Sequence, residues 1–237
     1  MMRPFIICHM MVSVDGKIDG DYWSPPFDGT DVDTATKSYY DISEALQCDG
    51  EILGRVTVHK HHANQEFFVS DPVVTEKPVP FVGTRDTRRL CVVIDTHGRI
   101  KYDSSKICGE NIIVVLSETI SQAYLEHLRS FGISYVFAGK DGHDLEKAME
   151  SLGQIFHLKK VVLQGGGMTN GTFLEHKLID ELSVMIYPGI DGRNNAPTLF
   201  DASVPDGLCP AQGQTLELLD VKNVGYGVIS LRYKVHH

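Results

Sequence analysis

The sequence predicts an α/β fold with a central, mostly parallel sheet and an antiparallel pair of strands at its C-terminal edge. Short apolar runs alternate with segments of helical periodicity, and several of the runs end at glycine. The last two apolar runs are separated only by a short turn. Strands separated by helices form βαβ units, whose parallel sheets carry helices on both faces.

The N-terminal part begins with the apolar run "FIICHMMVSV", which predicts a strand that ends at a turn on Asp15 and Gly16. The following pattern predicts a helix over 33–47. Its apolar face is formed by Ala35, Tyr39, Ile42 and Leu46. The segment "GEILGRVTV" predicts a short strand, a turn and the start of a second helix.

The middle of the chain continues the alternation. "LCVVID" and "NIIVVLS" predict strands, and 121–131 predicts a helix after them. The same order recurs in "ISYVFAG", "DLEKAMESLGQIFH" and "KKVVLQGGG". Prolines at positions 72, 78 and 80 indicate an irregular connection over 67–89. Near the end, "ELSVMIYPGI" predicts one strand, and two antiparallel strands are predicted around 223–227.

Length and composition indicate one domain. The chain has 237 residues, of which 42% are hydrophobic, and we assign residues 1–235 to a single domain, with His236 and His237 as a tag remnant. A net charge of −9 without a basic run argues against a nucleic-acid or anionic-membrane surface. The apolar runs are shorter than the roughly 20 residues of a membrane-spanning helix, and no signal peptide precedes them. We expect a cytoplasmic protein that acts on a small molecule.

Cysteine and histidine patterns predict no metal site. The five cysteines are scattered, without the spacing of a zinc site or of a disulfide framework. The cluster "HKHH" at 59–62 has no accompanying carboxylate or cysteine pattern.

Three consecutive glycines in "VVLQGGGMTNGTFL" end an apolar strand where a helix begins. A helix N-terminus presents unpaired N–H groups and the positive end of the helix dipole, and glycine lets a pyrophosphate approach them closely. The triplet therefore predicts a dinucleotide cradle. The alternative is that the glycines only permit a tight strand-to-helix turn.

A second strand ends in the same way in "ILGRVTV", where Arg55 and Thr57 follow Gly54. A guanidinium here could bind the 2′-phosphate of NADP with two hydrogen bonds, while Thr57 holds other phosphate oxygens. The alternative is a surface arginine beside a capping threonine. Open α/β sheets bind ligands beyond the carboxyl ends of their strands, which favours the first interpretation.

These two segments, together with "RPFIICHMMVSVDGKI" and "LIDELSVMIYP", resemble the pyrimidine reductase of riboflavin biosynthesis, which also occurs as the C-terminal domain of a bifunctional deaminase-reductase. The resemblance implies a dihydrofolate-reductase-like, three-layer α/β/α fold. It also implies NADPH-dependent reduction of a ribosylamine to a ribitylamine. The implied substrate is 5-amino-6-(5-phosphoribosylamino)uracil or the corresponding 2,5-diamino pyrimidinone.

The resemblance also implies site residues. The expected substrate residues are Ser13, Trp23 and Gln164, and Asp15 with its hydration is the candidate proton source. Trp23 could instead anchor its loop against the core. The expected cofactor residues are Met11, Gly54, Arg55, Thr57, Gly165, Gly166, Gly167, Met168, Thr169 and Thr172.

The chain departs from the family pattern in ways that bear on the substrate. Gln164 replaces a usual glutamate, and two arginines implicated in binding the ribose phosphate are missing from "SEALQCDG" and "HKHHANQEFF". Lys17, Lys37 or a nearby histidine could replace them. Two alternatives stay open: an NADPH-dependent reductase of another small molecule, such as dihydrofolate, and a non-catalytic NADPH-binding module. An exposed apolar edge at "GVISLRYKV" predicts a homodimer.

Overall fold

The computed structural model describes residues 3–62, 65–68, 78–205 and 207–237. It divides into two compact units. The first unit comprises Met1–Pro4 and Cys48–Val161, and the second comprises Phe5–Gln47 and Val162–His237. The single domain over 1–235 stays a prediction.

Strands and helices alternate along most of the described chain. The strands are β1 (Phe5–Val12), β2 (Gly50–Gly54), β3 (Leu90–Ile94), β4 (Lys106–Ile107), β5 (Glu110–Leu116), β6 (Ser134–Phe137), β7 (Lys160–Leu163), β8 (Glu181–Ile186), β9 (Thr215–Asn223) and β10 (Ile229–His236). The helices are α1 (Val32–Ala45), α2 (Arg55–His61), α3 (Gln122–Ser130), α4 (Leu145–Phe156) and α5 (Gly167–Glu175).

Local sequence explains where three of the helices begin. The side chains of Asp31, Ser121 and Asp144 accept hydrogen bonds from the backbone N–H three residues further on, at the starts of α1, α3 and α4. Such N-caps satisfy one of the N–H groups that a helix leaves unpaired. The observed bounds agree with the predicted helices to within about two residues, which is the usual uncertainty of a helix end.

The first unit contains a mostly parallel sheet. β2 pairs with β3, β3 with β5 and β5 with β6 in parallel, and the short β4 pairs antiparallel with β5. The strands are rich in valine and isoleucine and are buried along most of their length. Continuous apolar strands are typical of parallel sheets that are covered on both faces. The predicted connection over 67–89 includes Pro72, which lies outside the described residues.

The second unit contains the antiparallel edge. β1 pairs in parallel with β8, β8 pairs antiparallel with β10, and β10 pairs antiparallel with β9, which is the last strand of the order. His236 is the last residue of β10, opposite Thr215. Its ring lies 2.8 Å from the Glu217 carboxylate.

The mixed α/β fold with a mostly parallel sheet and an antiparallel C-terminal edge is therefore confirmed. The predicted position of the exposed edge is wrong. "GVISLRYKV" forms β10, which is hydrogen-bonded on both sides by β8 and β9. The exposed edge is β9, because β10 lies between β8 and β9 in the order of the strands.

Candidate active site

The glycine triplet forms the turn between β7 and α5 in the second unit. Gly165 has a φ of +77°, and its peptide bond to Gly166 is cis. A Cβ at Gly165 would lie 3.1 Å from the side chain of Met10. Gly166 is the N-cap of α5 and carries no side chain that could cap this end of the helix. A helix start whose N-cap residue lacks a side chain lets an anion approach the first N–H groups closely.

Gly167, the first residue of α5, must be small because another segment packs against it. A Cβ there would lie 2.2 Å from Oδ2 of Asp201 and 2.4 Å from the carbonyl oxygen of Thr198. The Asp201 backbone N–H donates to the Gly167 carbonyl at 3.0 Å. Gly171, one turn later, faces the Asp201 carbonyl, which would lie 1.9 Å from an added Cβ. Gly167 and Gly171 therefore allow the 198–201 segment to pack closely against α5. The sequence did not indicate this packing role.

The other predicted cofactor residues in the second unit have different environments. Met168 is exposed in the first turn of α5, and Thr169 is half-buried beside it. The Thr172 hydroxyl donates to the Met168 carbonyl at 2.8 Å, so its proton is used within the helix. Met11 is buried in an apolar cluster with Met185 and Tyr187.

Gln164 directly precedes the glycines and contacts helix α1. Its Nε2 donates to the hydroxyl of Tyr39 at 2.9 Å and to that of Ser43 at 3.2 Å. Tyr39 in turn stacks on the ring of His9, with 4.4 Å between ring centroids. These contacts join the predicted substrate residue to the buried core of the second unit.

Ser13 and Asp15 form a hydrogen-bonded turn after β1. The Asp15 carboxylate accepts from the Ser13 hydroxyl at 2.6 Å and from the N–H groups of Asp191 and Gly192 at 3.0 and 2.8 Å. These donors, the Ser13 hydroxyl first, lower the pKa of Asp15 well below its ordinary value. The carboxylate is therefore ionised at neutral pH and joins two loops, while its catalytic role stays a prediction.

Trp23 packs against Tyr187, with ring centroids 4.9 Å apart and the rings tilted by 33°. Tyr187 is fully buried and follows directly after β8. This contact supports the alternative in which Trp23 anchors its loop, and substrate binding by Trp23 stays a prediction. The sequence did not single out Tyr187, although it belongs to the "LIDELSVMIYP" motif.

The basic side chains of these two loops are already engaged. Arg193 donates to Asp191 at 2.7 and 2.8 Å and to Asp19 at 3.2 Å, and its guanidinium lies 3.6 Å from the ring centroid of Tyr22. Lys17 Nζ donates to the Ala196 carbonyl at 3.2 Å. The charge of Arg193 is thus compensated inside the protein, and the replacement of a missing phosphate-binding arginine by Lys17 stays a prediction.

In the first unit, β2 ends at Gly54, which is the N-cap of α2, and Arg55 and Thr57 lie in the first turn of that helix. Arg55 is half-buried. Within the described residues its guanidinium has no hydrogen-bond or ion-pair partner. A half-buried, unpaired guanidinium is suited to bind an anionic ligand.

Metal centres and membrane-spanning helices are two further features to consider in the part of the chain that the structure describes. No group of three or more histidine, cysteine, aspartate or glutamate side chains there is arranged to hold a metal ion. None of its helices is both long and apolar enough to cross a bilayer.

The family of the RibD C-terminal domain matches residues 4–230. The chain belongs to this family. It is 26% identical, over 211 residues, to the 2,5-diamino-6-ribosylamino-4(3H)-pyrimidinone 5′-phosphate reductase of Methanothermobacter thermautotrophicus, with 89% of each chain covered. The motifs that carried the resemblance in the sequence thus led to the right family.

Two solved structures have the same fold. A pyrimidine reductase-like protein from Corynebacterium diphtheriae aligns with a TM-score of 0.68 at 17% identity, covering 99% of this chain and 92% of the other. The riboflavin biosynthesis reductase Rib7 of Saccharomyces cerevisiae aligns with a TM-score of 0.57 at 19% identity, covering 98% and 90%. The predicted fold, that of the dihydrofolate-reductase-like reductases, is confirmed.

Proposed function

We propose that the protein is an NADPH-dependent oxidoreductase of riboflavin biosynthesis that reduces the ribosylamine of a pyrimidine to a ribitylamine. The substrate is 5-amino-6-(5-phosphoribosylamino)uracil or its 2,5-diamino pyrimidinone counterpart. The family match over residues 4–230 carries this proposal. The relative from Methanothermobacter, which is matched over nearly its whole length, is named as such a reductase.

The residues of the chain fit NADPH as the cofactor. The start of α5, whose N-cap Gly166 carries no side chain, and the left-handed Gly165 would receive the pyrophosphate, because a phosphate can approach the backbone closely there. Arg55 would bind the 2′-phosphate, because its guanidinium is unpaired among the described residues. When bound, NADPH supplies the hydride.

The second unit would orient the pyrimidine and its proton source. Ser13 and Trp23 lie on the loop that follows β1, and Gln164 lies next to the glycine turn. The ionised Asp15 carboxylate would hold a water molecule near the substrate nitrogen. This water would donate the proton that follows the hydride, and the hydroxide left behind would take a proton from bulk solvent. Asp15 itself would remain a carboxylate throughout.

Stopped-flow oxidation of NADPH tests the proposed function. With the ribosylaminopyrimidine phosphate present, we expect the absorbance of the reduced nicotinamide to fall at a rate that saturates with substrate concentration. A non-catalytic module would quench the cofactor fluorescence and never turn over. Oxidation with dihydrofolate instead of either pyrimidine would contradict the proposed substrate and favour the alternative reductase.

We also propose that the enzyme is a homodimer that works in the cytoplasm and binds neither nucleic acid nor membrane. The net charge of −9 supports the absence of polyanionic partners. The edge strand β9 supports a dimer, because several of its apolar side chains are exposed. They are Leu216 (53%), Leu218 (54%), Leu219 (44%) and Val221 (54%). An exposed apolar edge strand is a template for pairing with a second chain.

Sedimentation should show a dimer for the wild-type protein and a monomer for Leu218→Lys, because a charged side chain at the pairing edge opposes association. Leu208→Lys is the matched control, since Leu208 is similarly exposed (61%) but lies outside β9. A wild-type protein that sediments only as a monomer would exclude the dimer.

A further inference from the structure

The side chain of Asn170 lies beside the glycine turn, inside the second unit. Asn170 is fully buried in the first half of α5. Its Nδ2 would lie 3.3 Å from a Cβ added at Gly165, and its backbone N–H donates to the Gly166 carbonyl at 3.0 Å. The amide therefore packs against the two residues that would receive the pyrophosphate.

The Asn170 amide makes one hydrogen bond with its side chain. Nδ2 donates to the Leu199 carbonyl at 2.9 Å, and the nitrogen must face this oxygen because a carbonyl only accepts. Oδ1 is buried and has no hydrogen-bond partner among the described residues. A buried acceptor without a partner is costly, so an apolar side chain would serve packing alone equally well. The contact to Leu199 is thus the reason for an amide at this position.

The backbone of Leu199 connects α5 to the turn that follows β1. Its carbonyl accepts from Asn170, and its N–H donates to the Gly16 carbonyl at 3.3 Å. Gly16 closes the turn that contains Asp15, because its own N–H donates to the Ser13 carbonyl at 2.9 Å. Two hydrogen bonds, one on each side of Leu199, therefore join the helix after the glycines to the turn that carries Asp15.

Backbone contacts show that the same segment runs along both parts. The Ile18 N–H donates to the Pro197 carbonyl at 3.0 Å, and the Asp201 N–H donates to the Gly167 carbonyl at 3.0 Å. The contact of Asn170 differs from these because a side chain makes it. A substitution can therefore remove it and leave the backbone contacts in place.

We propose that Asn170 is a positioning residue that sets the placement of α5 relative to the Asp15 turn, acting through Leu199. This inference rests on the proposed function, in which the start of α5 holds the pyrophosphate of NADPH and the Asp15 turn supplies the proton. Transfer of hydride and proton requires both parts in register, and small displacements of reacting groups lower the rate strongly. Because Asn170 is fully buried, it acts through Leu199 rather than on the substrate itself.

Replacing Asn170 with leucine tests this role. With the ribosylaminopyrimidine phosphate and saturating NADPH, we expect kcat to fall about tenfold, because the alignment of the two parts is lost. The NADPH dissociation constant from calorimetry should stay within about twofold, since the N–H groups at the start of α5 are unchanged. The urea midpoint should stay close to that of the wild type, because the lost contact to Leu199 is offset by the removal of the unpaired Oδ1.

Gln214→Leu is the matched control. The Nε2 of Gln214 donates to the Leu174 carbonyl at 2.9 Å, near the other end of α5, and its Oε1 is likewise buried without a partner among the described residues. This variant removes the same kind of contact at a distance from the glycine turn, so kcat should not change. An unchanged kcat in Asn170→Leu, or an equal loss of kcat in Gln214→Leu, would overturn the positioning role.

A second variant keeps the inference testable if Asn170→Leu fails to fold. In Asn170→Asp, burial should raise the pKa of the new carboxyl group, and only its protonated form can donate to the Leu199 carbonyl. The ratio of its kcat to that of the wild type should therefore rise when the pH is lowered from about 8 to about 6. A ratio that does not rise would contradict the donor role. If the wild-type protein reduces neither candidate pyrimidine, the proposed function itself fails.

Discussion

Replacing Gly167 with alanine is expected to lower the free energy of unfolding by about 2–3 kcal/mol. The added Cβ would lie 2.2 Å from Oδ2 of Asp201 and 2.4 Å from the Thr198 carbonyl oxygen. The second of these atoms belongs to the backbone, so the 198–201 segment has to move away from α5. Urea unfolding of the protein without cofactor measures the effect directly.

Gly20→Ala is the matched control for this experiment. Gly20 lies in the same unit, and its nearest neighbour within 4 Å of an added Cβ is the Trp23 ring at 3.8 Å, an ordinary contact. We expect a change close to zero for this variant. Equal unfolding midpoints for Gly167→Ala and the wild type would show that the glycine serves the ligand alone and not the packing.

Replacing Arg55 with alanine is expected to weaken NADPH binding by about 10- to 100-fold and to leave NADH binding nearly unchanged. The reason is that NADH lacks the 2′-phosphate, and hydrogen bonds to a charged group contribute about 1.5–3 kcal/mol. Arg55 is half-buried and unpaired among the described residues, so its removal should cost little stability. Calorimetric titration with each coenzyme gives the two dissociation constants.

Arg88→Ala is the control for a general loss of positive charge, because Arg88 is an exposed arginine of the same unit outside the predicted site. It should change both dissociation constants little. An equal weakening of NADPH and NADH in Arg55→Ala would remove Arg55 from the 2′-phosphate. It would leave the start of α5 and Thr57 as the proposed phosphate contacts.

Local patterns predicted the secondary structure well because they depend on residues close in the chain. The amphipathic repeat over 33–47 gave α1, and the strand-to-helix turn after "VVLQ" gave β7 and α5. The sequence motifs also led to the correct family, because glycine turns and the "LIDELSVMIYP" stretch are local as well.

Contacts between distant segments could not be predicted in this way. Nothing in the sequence places the Asp15 carboxylate on the N–H groups of Asp191 and Gly192, which are far away in the chain. The same holds for Tyr187 against Trp23 and for Asp201 against Gly167. For this reason the sequence related Gly167 to a ligand or to a tight turn, but not to packing against the 198–201 segment, and it left out Tyr187.

The sequence by itself determined the order of strands and helices, the two glycine turns, the family and the residue type at position 164. Only the tertiary structure decided that β9 rather than β10 is the exposed edge, that Asp15 is held as a carboxylate, and that the Gln164 amide nitrogen donates to Tyr39 and Ser43. The physical reason is that strand order, ionisation and amide orientation depend on partners brought together by folding. Periodicity and turn chemistry, in contrast, depend on neighbours in the chain.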